Sequence, residues 1–144
     1  MGRPSSSLSS KTWRDAPQWG SVERFLDKVR LLNPRLVLLF GSLATGDFTQ
    51  YSDADVLVVL EQPADWQTVY QWSDGVVQPV VVTWEEAIAR VEEGEPFFYE
   101  ILTEGKVLMD RGGAFRQLRQ RSAIAARRRG LERTPYGWRW REQR

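Results

Sequence analysis

Apolar residues at Val22, Phe25, Leu26, Val29 and Leu32 recur at helical spacing. They predict a helix over Val22–Leu32, with Ser21 as N-cap and Asn33-Pro34 as the stop. The period then changes. Val37–Phe40 and Val56–Leu60 are unbroken apolar runs, which predict strands over Arg35–Phe40 and Ala54–Glu61. Such continuity is expected when both faces of a sheet are covered. Downstream, Ala64–Trp72 reads as a short helix with Trp66, Val69 and Tyr70 toward the core, and Ser73-Asp74-Gly75 as a turn. Val76–Thr83 reads as a third strand. Pro79 puts it at a sheet edge or gives it an irregular start, because proline cannot donate to a ladder.

Thr83 and Glu86 have the spacing of a capping box. The helix they open runs to about Glu93, with Trp84, Ala87, Ile88 and Val91 on one face. Gly94 stops it. Pro96 starts another helix over Phe97–Thr103, and Gly105 closes that one. Lys106–Met109 is a short strand. Arg111-Gly112-Gly113 links it to a helix over Ala114–Arg129, and no period is visible after Gly130. The pattern gives an α/β (α+β) domain, a small mixed sheet flanked by helices. Residues 1–20, rich in serine, read as a flexible arm on which Trp13 and Trp19 pack back. Residues 21–110 form the domain, and residues 111–144 a basic helix and tail.

Composition narrows the chemistry. The chain has 144 residues, enough for one core, and no apolar run near the ~20 residues a bilayer span needs. A soluble, cytoplasmic protein without membrane contact is expected. Cysteine and histidine are both absent. That removes disulfides, thiolate chemistry, imidazole ligands and the commonest general base. Catalysis has to rest on carboxylates, hydroxyls, Lys or Arg, and a hard metal ion.

The candidate chemistry lies in Leu36–Glu61. Gly41-Ser42 ends the first strand, and Ser52-Asp53-Ala54-Asp55 begins the second about ten residues later. Side chains alternate along a strand, so Asp53 and Asp55 share a face about 7 Å apart. Two such carboxylates can hold divalent cations whose shells phosphate oxygens complete. Gly41 permits positive φ or a close backbone approach, and Ser42 offers a hydroxyl and an N–H suited to phosphate.

This Gly-Ser, ten-residue, Asp-x-Asp arrangement between two strands resembles the nucleotidyltransferase superfamily that includes DNA polymerase β. The short length is most similar to the minimal nucleotidyltransferases. A weaker likeness extends over Val80–Met109. The resemblance implies Mg²⁺-dependent transfer of an NMP group from ATP or another NTP to a hydroxyl on a protein or small molecule. It implies that Gly41 and Ser42 bind the nucleotide, on a helical turn over residues 42–46. It also implies that Asp53 and Asp55 are catalytic and bind the metal. Minimal nucleotidyltransferases are frequently encoded with a helical HEPN partner, and some such pairs are toxin–antitoxin systems in which the transferase adds AMP to the partner.

Two positions depart from the family pattern. A third acid commonly stands on the next strand, as in V-D-V-V-T, but here the stretch is Pro79-Val80-Val81-Val82-Thr83 and Val80 takes its place. The second ion of a two-ion site thereby loses its ligand. Asp74, Glu61, Glu85 and Glu86 are the substitutes to weigh. The arginine often found soon after Gly-Ser is also missing, since Leu43-Ala44-Thr45-Gly46 follows. The alternative is a catalytically degenerate module that binds a nucleotide or partner.

Charge is segregated. Residues 1–110 hold 9 Lys/Arg and 17 Asp/Glu, a balance of −8, while residues 111–144 hold 11 Arg and 2 Glu, a balance of +9. The tail interleaves Arg127-Arg128-Arg129, Arg133, Arg139, Arg141 and Arg144 with Tyr136, Trp138 and Trp140. Docking on an acidic protein surface, this domain's own or that of a second copy in a homo-oligomer, is preferred to nucleic-acid contact.

Overall fold

The computed structural model describes residues 12–135 and 137–140. Four strands form one sheet in the order β3-β2-β1-β4, with β1 at Leu36–Phe40, β2 at Ala54–Leu60, β3 at Val77–Thr83 and β4 at Lys106–Asp110. β1 runs antiparallel to both β2 and β4, and β2 runs parallel to β3. The sheet is mixed, as expected. The helices are α1 at Trp19–Val29, α2 at Ser42–Thr45, α3 at Trp66–Tyr70, α4 at Trp84–Glu92, α5 at Pro96–Glu104 and α6 at Ala114–Arg129.

Both sheet faces are covered, which explains the unbroken apolar runs of β1 and β2. One face sets Val37, Leu39, Val56 and Val58 against α1, α2 and α3 through Phe25, Val29, Leu43 and Val69. The other sets Leu36, Leu38, Leu57 and Val59 against α4, α5 and α6 through Ala87, Val91, Phe98, Leu102 and Leu118. Asp55 belongs by alternation to this second face, at its open end.

Several expected boundaries move. α1 begins at Trp19, and a 3₁₀ turn over Arg30–Leu32 finishes it. Ser21 is therefore inside the helix and not its cap. It is buried, and its hydroxyl donates to Asp74 at 3.0 Å. Trp13, on a 3₁₀ turn over Trp13–Asp15, meets Trp19 edge-to-face at 5.1 Å, and both pack on the core. Residues 12–20 are thus built into the fold, while the remainder of the expected arm lies outside the described residues. α3 is shorter than Ala64–Trp72 because Asp65 caps it, accepting from the Gln67 N–H. Trp66 does not enter the core. It stays exposed, stacks on Tyr70 at 4.5 Å and donates its indole N–H to the Pro79 carbonyl. β3 is an edge strand, so Pro79 leaves no ladder bond unmade within the sheet. The Thr83–Glu86 capping box is formed in both directions. After Gly130 the chain makes a hairpin, β5 at Leu131–Thr134 paired with β6 at Gly137–Trp140, which the aperiodic sequence hid. The hairpin lies against α5 and α6.

Candidate active site

β1 and β2 are antiparallel, so the end of one and the start of the other meet. Phe40 is level with Asp55. This register brings the Gly41-Ser42 turn beside Asp53-Ala54-Asp55, which the sequence had only placed near one another along the chain. Gly41 sits at φ 75°, ψ −156°. A Cβ placed on it would lie 2.3 Å from Asp55 Oδ2, well inside van der Waals contact. Only glycine serves here, for backbone conformation and for space. α2 follows at once, and Gly46 ends it in the left-handed conformation. The first N–H groups of this turn, those of Ser42 and Leu43, have no partner within the helix.

Asp53 is exposed and Asp55 is half-buried. Burial pushes the Asp55 carboxyl above its ordinary range, and the neighbouring Asp53 charge pushes it further. Repulsion stored between two carboxylates is what a divalent cation or a proton relieves. The pair suits an oxygen-seeking ion such as Mg²⁺ that keeps water and phosphate in the rest of its shell. Among the described residues no group of three or more acids is gathered for a metal.

The loop that delivers Asp53 is clamped by a residue that sequence reasoning missed. Gln18 is buried, and its side-chain amide donates to the carbonyls of Thr49 at 2.9 Å and Ser52 at 2.8 Å. The loop braces itself as well. The Thr49 N–H donates to the Ser52 hydroxyl, and the Tyr51 N–H to the Thr49 hydroxyl. A glutamine before the first helix carries no sequence signal for this task, because its partners lie more than thirty residues away.

Of the four substitute acids, Glu61, Glu85 and Glu86 lie at the far end of the sheet and Asp74 is held by partners. Glu61 follows the far end of β2, about 20 Å of strand from Asp55. It pairs there with Arg35 at 3.3 Å and Arg111 at 3.4 Å. Glu85 and Glu86 lie at that same far end, in the first turn of α4, where Glu86 closes the capping box. Asp74 is at the near end, but Arg24 at 2.7 Å and Ser21 hold it, and these hydrogen bonds lower its pKa. On β3 the residue level with Asp55 is Gln78, and Val80 is two pairs deeper, level with Leu57. Both share the Asp55 face. Gln78 is the second site neighbour that the sequence did not signal.

Beside the turn opens a cavity of about 480 Å³, walled by Phe40, Gly41, Thr45 and Asp47 on one side and by Phe97, Glu100, Ile101 and Glu104 of α5 on the other. Phe40 and Phe97 meet edge-to-face at 5.6 Å. Among the described residues the lining carries three carboxylates, Asp47, Glu100 and Glu104, and no cation. With Asp53 and Asp55 next to it, this end of the sheet is strongly negative.

Comparisons with known proteins bear on the family and the fold. The family model described as "Polymerase beta, Nucleotidyltransferase" matches residues 22–113. A chain of a toxin–antitoxin crystal structure with AMP-PNP is similar at a TM-score of 0.54 and 18% identity, over 76% of this chain and 86% of that one. A chain from a mutant of the toxin–antitoxin MntA-HpeT is similar at a TM-score of 0.53 and 18% identity, over 76% and 85% of the two chains. No curated protein matches.

Proposed function

The chain belongs to the polymerase β nucleotidyltransferase family, and on that premise we propose that it moves an NMP group from ATP or another NTP to a hydroxyl on a protein. The observation that carries this reading is the packing of Asp55 against Gly41, which presents two carboxylates to a glycine-serine turn. In the displacement, the acceptor oxygen bonds to the α-phosphorus. The bond from that phosphorus to the bridging oxygen breaks, pyrophosphate leaves with the electron pair, and the hydroxyl proton goes to water. Gly41 and Ser42 bind the phosphates, the glycine by letting its backbone approach and the serine through its hydroxyl and N–H. Asp53 and Asp55 would hold Mg²⁺, which when bound would neutralise phosphate charge beside the carboxylates of this end of the sheet. Phe40 and Phe97 offer an apolar wall for the base.

The acceptor follows from the family resemblance and from the neighbours. Both similar chains come from toxin–antitoxin structures, one determined with AMP-PNP. The acceptor in this reading is a hydroxyl of a helical HEPN-type partner, and AMP is the group transferred.

A second reading rests on a specific observation. Gln78 and Val80 stand on β3 where an acid would complete the site, while Glu61, Glu85 and Glu86 lie at the far end of the sheet and Asp74 is bound by Arg24 and Ser21. On that reading the domain binds nucleotide and partner without turnover. The test is titration of the full chain with ATP, with and without Mg²⁺, followed by α-labelled ATP and the candidate partner. Mg²⁺-dependent binding and label transfer, both lost in Asp53→Asn, support the enzyme. Binding without transfer supports the module, and no binding of any NTP sinks both.

A further inference from the structure

The outer face of α6 carries a row of arginines that no acid neutralises among the described residues. The helix holds six arginines and no acid. Ala114, Leu118, Ser122 and Ala125 are buried against the domain. Arg116, Arg119, Ala123 and Arg127 recur at three- and four-residue spacing on the opposite side, all exposed, and Arg128 flanks them. From Arg116 to Arg127 the row is about 16 Å long at the helical rise. Arg121 is taken by Glu92, and Arg119 lies 5.6 Å from the Phe115 ring. Among the described residues, Arg116, Arg119, Arg127 and Arg128 have no acidic partner.

Helix stability does not explain the whole row, because the helix dipole favours Arg127 and Arg128 in the last turn but not Arg116 or Arg119. Asp110 already caps the N-terminus of α6, accepting from the Ala114 N–H at 2.8 Å and the Phe115 N–H at 3.3 Å. Arg116 in the first turn opposes the helix dipole, whereas a cation is favourable only at the other end. Covering the core does not explain it either, because the buried stripe is complete without these side chains.

We propose that this face binds the sugar–phosphate backbone of single-stranded RNA. Guanidinium groups match phosphates bidentately and stack on unpaired bases. A protein partner is disfavoured, because a stable protein interface needs an apolar or aromatic centre around which water is excluded. Beside this row the helix exposes Gln120, Ala123 and a single large apolar side chain, Ile124, which is too little for such a centre. A rigid duplex would meet the convex helix at one or two points, whereas a flexible single strand can follow its length. RNA is the nucleic acid that presents such strands in loops and ends. The face is separate from the Gly41–Asp55 site and does not depend on the reading of that site.

Fluorescence anisotropy of the full chain with a labelled single-stranded RNA of about 15 nucleotides tests this. Affinity should fall with salt along a slope of about −2 to −3, for three to four neutralised phosphates. The triple variant Arg116→Gln, Arg119→Gln, Arg127→Gln should weaken binding at least tenfold at low salt, with its melting temperature and ATP affinity unchanged. RNA affinity that is absent, salt-independent or unaltered in the variant would overturn the proposal. So would equal or tighter binding of duplex DNA or polyglutamate.

Discussion

The carboxylate of Asp55 fills the space that a side chain at Gly41 would need. A methyl group at Gly41 would come within 2.3 Å of Asp55 Oδ2. The pair joins backbone geometry to the proposed chemistry, since the contact holds one acid against the turn proposed to bind the nucleotide. Gly41→Ala therefore strains a backbone at φ 75° and displaces Asp55. We expect a stability loss of about 1–3 kcal/mol and a fall in Mg²⁺-dependent ATP binding of about tenfold or more. Denaturant melts and calorimetric titration check the two together. Unchanged nucleotide affinity would separate Gly41 from the site.

Asp55→Asn should trade function for stability. Burial, then Asp53, raises the Asp55 pKa above 3.8 in the folded chain. The folded state therefore binds the proton more tightly than the unfolded state. The favourable contribution is fully present below pH 3.8 and is lost as pH rises through the folded pKa. At neutral pH the charged carboxylate is thus a destabilising group. Asn at position 55 should raise the melting temperature at pH 7, gain less at pH 4, and reduce transfer by about 100-fold or more. A variant less stable than the parent at pH 7 would show that the carboxylate is already compensated.

Gln18→Ala removes two side-chain hydrogen bonds and leaves the carbonyls of Thr49 and Ser52 without their donor. The expected cost is about 1–3 kcal/mol. Because Gln18 positions the loop before Asp53, Mg²⁺ affinity for the nucleotide-bound protein should also fall. Gln18→Glu, which keeps the size but loses the donors, should behave alike. Normal metal affinity in both would limit Gln18 to a structural part.

Glu61→Gln should leave ATP binding and transfer unchanged and cost less than about 1 kcal/mol, the range of an exposed ion pair. A loss of transfer would make Glu61 a ligand after all, despite its place at the far end of β2.

An acid introduced on β3 should have the opposite effect. Val80→Asp restores the family pattern, and Gln78→Asp places a carboxylate level with Asp55. We expect Val80→Asp to raise transfer at least tenfold, with a stability cost of about 1–3 kcal/mol for a half-buried polar group beside Leu57. No gain in either variant would place the limit on turnover elsewhere than in a missing carboxylate.

Much of this protein is determined by local pattern. The apolar runs of β1 and β2, the heptad-like spacing of α1 and the Thr83–Glu86 box each act within one segment, and each is formed. Gly41, Ser42, Asp53 and Asp55 were legible because a turn and a strand start are short-range features. Tertiary structure decided everything that needs two distant segments. It set the antiparallel register that brings Asp55 to Gly41, and the Gln18 clamp on the loop before Asp53. It paired Gln78, not Val80, with Asp55, and drew Asp74 to Arg24. It also turned Arg116, Arg119 and Arg127 outward, because which side of that helix is buried depends on α4 and α5 packing against it. A strand's side-chain alternation is written in its own residues, but its neighbours and their register are set by the packing of the whole chain.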